Sequence, residues 1–249
     1  MPAADLIKKV YKPSLNVGQV YAKPYGSAVG FMPIGNVLEL QIDHKEDVQR
    51  QDDMTQLGGG THAEVRRVTE ISGSMKLADV NIVNLARAVL GTTTPVNSGT
   101  VTGETASATR GGLIRLAHIL PTAVIVKKAS VVIAATEYEV RPEGIYLLPT
   151  ASGVTDGDPL TIDYSYGDQA VIEALTTKAP ELALTFGGLN EADGGNPVVV
   201  DIWRLSQGVT KQLSLINSKF GALDVNLSIM QDSTKVGAGI SRYYRTTMV

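Results

Sequence analysis

Polar and apolar residues alternate over residues 36–43, "NVLELQID": Leu38, Leu40 and Ile42 fall on one face, Glu39, Gln41 and Asp43 on the other. A period of two with one apolar face predicts a half-buried β-strand. The pattern returns over residues 65–77, where Thr69, Ile71, Gly73, Met75 and Leu77 oppose Glu70, Ser72, Ser74 and Lys76. It returns again over 222–233, where Leu223, Val225, Leu227 and Ile229 oppose Asp224, Asn226 and Ser228. Between the first two strands lies "KEDVQRQDDMTQLGGGTHAEV", residues 45–65. It reads as a hairpin tip far longer than a turn needs, and connections of that length usually have work to do.

The period changes to that of a helix over residues 78–91, "ADVNIVNLARAVLG", with Asp79 as a cap, Ile82, Leu85, Ala86 and Val89 as the apolar stripe and Gly91 as the stop. Upstream of Gly35, Pro, Gly and Tyr punctuate the chain into short extended pieces, some of which suit an arm that packs on a neighbour. Residues 91–112 are small, polar and Gly/Thr-rich and read as a linker. Closely spaced strand candidates follow, separated by turn signals such as "PEG" and "SGVTDGD", the pattern of a small β-sandwich or barrel. Two strands around a Gly-rich turn follow over 181–205, then a mixed stretch over 205–221 with room for a short helix. The expected fold is mainly β, with one flanking helix: a core domain split between residues 1–96 and 171–249, and an inserted small Ig-like β-domain over 97–170.

Composition narrows the function more than it defines it. Hydrophobic residues make up 43% of the 249, ample for a packed core, and the net charge of −3 argues against a protein that grips nucleic acid by its phosphates. With no cysteine, the chain forms no disulfide, zinc–thiolate site or thiol nucleophile. No run approaches the length of a membrane helix or a signal peptide, so a soluble protein folding in the cytoplasm is expected.

Candidate chemistry is sparse. Gly58, Gly59 and Gly60 lack the following Lys-Ser/Thr and helix of a phosphate loop, so turn freedom explains them better. His44, Asp52, Asp53 and His62 contain metal-ligand types at no recognisable spacing. The chain has three histidines and no G-x-S-x-G elbow, and His118 reads as a half-buried strand residue held by a hydrogen bond. Glu181 and Glu191 could be drawn as a glycosidase pair, as could many acids in a β-protein. No enzyme and no cofactor are expected. "SRYYRT", with Arg242, Tyr243, Tyr244 and Arg245, reads as a C-terminal strand or arm that contacts a neighbouring protein.

The ordered series of strand, long Gly-containing loop, strand, capped helix, hairpin and final strand resembles the major tail (tail tube) proteins of long-tailed bacteriophages. It is carried by "GNVLELQID", "GGGTHAEVRRVTEISGSMKLADVNIVNLARAVLG" and "FGGLNEADGGNPVVVDIWRL…LSLINSKFGALDVNLSIM", over roughly residues 30–95 and 175–245. The middle segment resembles the small β-domain that some members carry outside the tube. The resemblance implies hexameric rings stacked into a hollow tube of the virion, assembled in the host cytoplasm, through which double-stranded DNA passes on ejection without sequence-specific binding. It implies tape measure, tail tip and tail terminator proteins as partners, and no membrane insertion by this chain. It makes Glu39, Gln41, Asp43, Glu70, Asp224 and Asn226 candidates for the lumen wall, with Lys76 a departure from a purely acidic surface. Lys45, Glu46, Asp47, Arg50, Asp52, Asp53, Gly58, Gly59, Gly60 and His62 become a loop between rings or subunits, ordered on assembly. The tube of a contractile tail, a terminator ring and a soluble β-sandwich that binds a carbohydrate or host surface are the alternatives.

Overall fold

A computed structural model describes residues 12–55 and 57–249. The part of the expected N-terminal arm that precedes residue 12 lies outside them. The protein is mainly β, and its strands run β1 (Asn16–Pro24), β2 (Met32–Pro33), β3 (Val37–Asp52) and β4 (Thr61–Leu77), then helix α1 (Ile82–Ala88). They continue through β5 (Thr92–Val96), β6 (Gly99–Ser107), β7 (Leu113–Arg115), β8 (Thr122–Lys128), β9 (Val131–Val132), β10 (Tyr138–Arg141), β11 (Gly144–Leu147) and β12 (Pro159–Tyr166). β13 (Gln169–Glu173), β14 (Glu181–Asn190), β15 (Asn196–Thr210), β16 (Leu223–Ile229) and β17 (Tyr244–Met248) complete the chain. The chain divides into two units: the described residues up to Thr92 with Ile172–Val249, and Thr93–Val171. β5 pairs with β13 where the chain leaves the first unit and returns to it.

In the first unit eight strands form one sheet, ordered β2-β1-β14-β15-β16-β4-β3, with β17 added on β15. The alternation in β16 is complete: Leu223, Val225, Leu227 and Ile229 are buried, Asp224, Asn226 and Ser228 exposed. β4 follows it with Ile71, Met75 and Leu77. These side chains join Val20, Leu182, Leu184, Ile202 and Leu205 in one cluster, so the sheet must curl around its apolar face. Each large side chain buried there contributes about 1.5–3 kcal/mol. Gly73 sits where β3 and β16 press on β4. A Cβ at Gly73 would lie 2.5 Å from the Gln41 carbonyl oxygen, so a larger residue would force the hairpin apart.

The helix is shorter than the sequence pattern predicts. Asn81 is its cap, its side chain accepting from the Asn84 amide at 2.8 Å, because Asp79 is committed to the Asn36 amide at 2.8 Å. Asn84, Ala86 and Ala88 are buried against the sheet, whereas Ile82 and Val83 are exposed. The left-handed stop falls at Leu90, φ 51°, one residue before the expected glycine.

The second unit has two sheets, β6-β12-β8-β9 and β10-β11-β7, sharing a core that includes Val126, Ile145, Leu147, Leu160, Ile162 and Tyr164. The Gly/Thr-rich residues 91–112 are no linker: they hold β5 and β6, and β6 pairs along β12. Small polar residues hide a strand whose outer side chains meet solvent. Residues 211–222 hold no helix; β15 continues to Thr210 and an irregular segment leads into β16.

Candidate functional site

The register of the first sheet assembles a polar surface from four strands. Glu39 lies opposite Lys76, and Lys76 opposite Asp224. The next row is Gln41, Ser74 and Asn226, and the next Asp43, Ser72, Ser228 and Ser206. All six residues expected at the lumen wall are exposed on this surface, Glu70 at its margin paired with Lys45 at 3.9 Å. Asp43, Glu70, Ser72, Ser74, Ser206 and Asn226 line a shallow trough of about 530 Å³, with Lys211 as its one cation. Lys76 stands between two carboxylates, so its charge is offset within the surface. The surface is therefore mostly hydroxyl and amide, with acids at its edges. Such a surface offers a polyanion few counter-charges and no deep grip.

The long tip is a strand arm. Pairing of β3 with β4 continues to Asp52 opposite Thr61, so Lys45, Glu46, Asp47, Arg50 and Asp52 are ladder residues on β3, while His62 on β4 falls in a bulge between Ala63 and Thr61. The stretch expected to be a long loop is therefore largely strand, and the connecting tip is residues 53–60. A bulge between Lys45 and Glu46 leaves Thr69 unpaired, its hydroxyl donating to the Lys45 carbonyl at 3.1 Å. Beyond it both strands are exposed on both faces. With about 3.4 Å per residue, the arm extends about 25 Å past the core. Arg66 bridges Glu46 at 3.6 Å and Glu64 at 2.6 Å, and Arg50 reaches Glu64 at 2.7 Å. These guanidinium groups, Arg66 before Arg50, hold the Glu64 carboxyl below its usual range. At the tip the Asp53 amide donates to the Gly60 carbonyl at 2.8 Å, and Gly58, Gly59 and Gly60 take φ of 100°, 68° and 153°. That conformation is the reason for three glycines, and a strand follows them rather than the helix a phosphate loop needs.

The C-terminal residues are part of the sheet. Tyr244 and Arg245 begin β17, which pairs with residues 198–202 of β15. Tyr243 and Tyr244 pack on the core, and the Tyr244 hydroxyl lies 3.1 Å from His44 Nε2. Arg245 reaches Asp201 at 3.2 Å and lies over the Trp203 ring. Arg242 is exposed, and its carbonyl accepts from the Asp232 amide at 2.8 Å. A free terminal arm is replaced by a strand because its aromatics have core to cover.

The remaining candidate chemistry disperses. His44 is bound at Tyr244, far along the ladder from Asp52, Asp53 and His62, and among the described residues no three His, Cys, Asp or Glu side chains converge as a metal site. Glu181 and Glu191 flank the ten residues of β14 from opposite ends, about 30 Å apart by strand rise, too far to share a glycosidic bond. Glu181 is also clamped by Arg204 through two bonds of 2.9 Å. His118 lies beyond β7 rather than within a strand, stacked on Tyr166 at 3.6 Å and joined to the Gln169 amide. Nearby, the Tyr164 hydroxyl donates to Glu104 at 2.5 Å, and burial, then that carboxylate, pushes its pKa up to about 12. No described helix is long and apolar enough to cross a membrane.

Sequence reasoning missed two features: an open cleft beside β3, and the exposed apolar loop before β16. Both are tertiary properties; the loop's run "LSLIN" was visible but mistaken for helix. The profile of one protein family, described as protein of unknown function UCP028589, matches residues 13–247. No curated protein matches the sequence.

Proposed function

The chain belongs to that family of unknown function. From the geometry of its first unit we propose that it is a structural virion protein, the tube-forming subunit of a long phage tail. Six copies close into a ring, rings stack, and the genome passes down the centre. The observation that carries this reading is the pairing of a broad polar sheet face with a two-stranded arm exposed on both sides. A monomeric protein gains nothing from such an arm, since an isolated two-stranded ribbon is marginally stable in water. In an assembly it has a neighbour to lie on. The wall chemistry suits the passage of DNA: hydroxyls, amides and scattered carboxylates let a polyanion slide, whereas repeated lysines would hold it. The symmetry of a ring repeats every carboxylate around the lumen and sums their field. The second unit is the Ig-like insertion of this subunit type, and Trp203, already covered by Lys235 at 4.3 Å and Arg245 at 5.1 Å, offers little free surface for a sugar.

The reading is tested by the mass of the purified protein in solution. Light scattering over a concentration series should show a step from 26.4 kDa to about six times that mass, then growth in ring-sized increments. A species that stops at a dimer would remove the ring.

A further inference from the structure

The sheet of the first unit does not close. β1 pairs with β14 on one side, but with β2 on the other only at Tyr21 and Ala22. The outer edge of β1 over residues 16–19 and that of β3 over residues 37–42 have no strand partner among the described residues, whereas the Val20 carbonyl already accepts from the Ile34 amide at 3.1 Å. Between these two edges lies a cleft of about 470 Å³. Val20, Leu40 and Ile42 line its sides and Phe186 and Val200 its floor; Leu38, 58% exposed, stands on its rim. Not one lining residue is charged. The cleft is an opening into the main apolar core, flanked by two rows of unpaired backbone groups. Those features together fit an extended, uncharged segment that adds a strand and places alternate apolar side chains on the floor.

The same unit carries a segment of that description. Residues 212–217, Gln-Leu-Ser-Leu-Ile-Asn, are uncharged, and Leu213 and Leu215 alternate with Gln212 and Ser214. Leu215 is 85% exposed and Ile216 97%. Among the described residues no backbone amide from 212 to 221 donates to another backbone group, although the Gln212 carbonyl accepts from the Thr210 hydroxyl at 3.0 Å and the Ser214 carbonyl from the Asn217 side chain at 3.1 Å. The hairpin tip, with Met54 and Leu57, is equally exposed, but it is flanked by Asp52 and Asp53 and bent by three consecutive positive-φ glycines. The tip carries acids and three glycines that turn the chain, whereas residues 212–217 carry no charge of their own, although Lys211 and Lys219 flank them and the chain bends at Leu215 and Ile216.

We propose that the loop 212–217 of one molecule inserts as a strand into the cleft between β1 and β3 of a second copy. The contact is head to tail: each molecule uses one cleft and one loop, so it closes into a ring or runs on as a filament according to the rotation it imposes. It requires self-association of this chain but no particular tube.

The chain has no cysteine, which makes a disulfide test direct. Two full-length variants, Leu38→Cys at the cleft rim and Leu215→Cys on the loop, are mixed and oxidised, with Leu215→Cys plus Val131→Cys as the control pair. Both partners of Leu215 are exposed in the free protein, Val131 at 69%, so folding is not at issue. The expected result is at least a tenfold excess of the Leu38–Leu215 cross-link over the control, abolished by adding Ile216→Asp to the loop variant. Equal yields from the two pairs would overturn the proposal. Equal yields from protein that nevertheless forms rings or tubes would overturn only the cleft contact; a strong cross-link in protein that forms no ring would sustain it and remove the tail-tube reading.

Discussion

Gln207 is the clearest local cost in the structure. It is 1% exposed on the apolar side of β15, and among the described residues neither its side-chain oxygen nor its nitrogen has a hydrogen-bond partner. A buried amide without partners forfeits about 1–3 kcal/mol of desolvation. Gln207→Leu is therefore expected to raise the stability of the first unit by about 1–2 kcal/mol, read from the denaturant midpoint at unchanged slope. A lower midpoint would mean that the amide has a partner in solution. Tyr164 is the opposite case, buried with its hydroxyl on Glu104. Its pKa is raised from 10.0 to about 12, so its contribution is complete below pH 10 and is lost as pH rises through the folded value. Tyrosinate absorbance should show one phenol ionising late, together with loss of structure in the second unit, and Tyr164→Phe should remove that late step. The roles of these side chains were partly legible in the sequence. The polar faces of residues 39–43 and 224–228 follow from period two alone, because the pleat enforces it. The destination of Asp79 was not legible, since a carboxylate can cap either of two nearby chain ends.

The arm formed by β3 and β4 belongs to the scale of elements, where sequence reading failed in an instructive way. Residues 45–64 are charged and amide-rich on both faces, so no apolar period marks them as strand. They pair because each strand extends a ladder already fixed by the core below, with register set at Ile71 and Met75. The same blindness hid β6 and the opening between β1 and β3, which depend on partners distant in sequence. The salt bridges of the arm are exposed and screened by water, so they add little and the arm is the weakest part of its sheet. Because the Glu64 carboxyl is lowered from its ordinary 4.5, its support is present above that pH and is lost as pH falls through the folded value. Hydrogen exchange is expected to show amides of residues 46–52 and 61–68 losing protection in acid before those of β16 do. Simultaneous loss along β4 would show that arm and core form one cooperative element. Removing residues 47–67 and joining the strands with a short turn should leave the core folded, with unchanged unfolding cooperativity, and abolish stacking of rings; intact long tubes from that variant would make the arm dispensable.

At the scale of the whole molecule, the two units each hold a separate apolar cluster, one built on Leu77, Leu205 and Leu223, the other on Ile145, Leu147 and Ile162. Deleting residues 97–170 is expected to leave the first unit folded and able to assemble, because none of its core side chains comes from that segment. Strand content and the presence of an inserted segment could be read from the chain by turn spacing and composition. Which face of the sheet would meet DNA in the proposed tube could not, because alternation marks two faces without saying what lies beyond either. The central claim is that the surface of Glu39, Gln41, Asp43, Ser72, Ser74, Asp224 and Asn226 lines a tube. Electron cryomicroscopy of the assembled protein tests it most directly. The account predicts six subunits per ring with that surface turned to the axis and the β3–β4 arm lying against a neighbour. Rings that turn this face outward, or bury it between subunits, would contradict it.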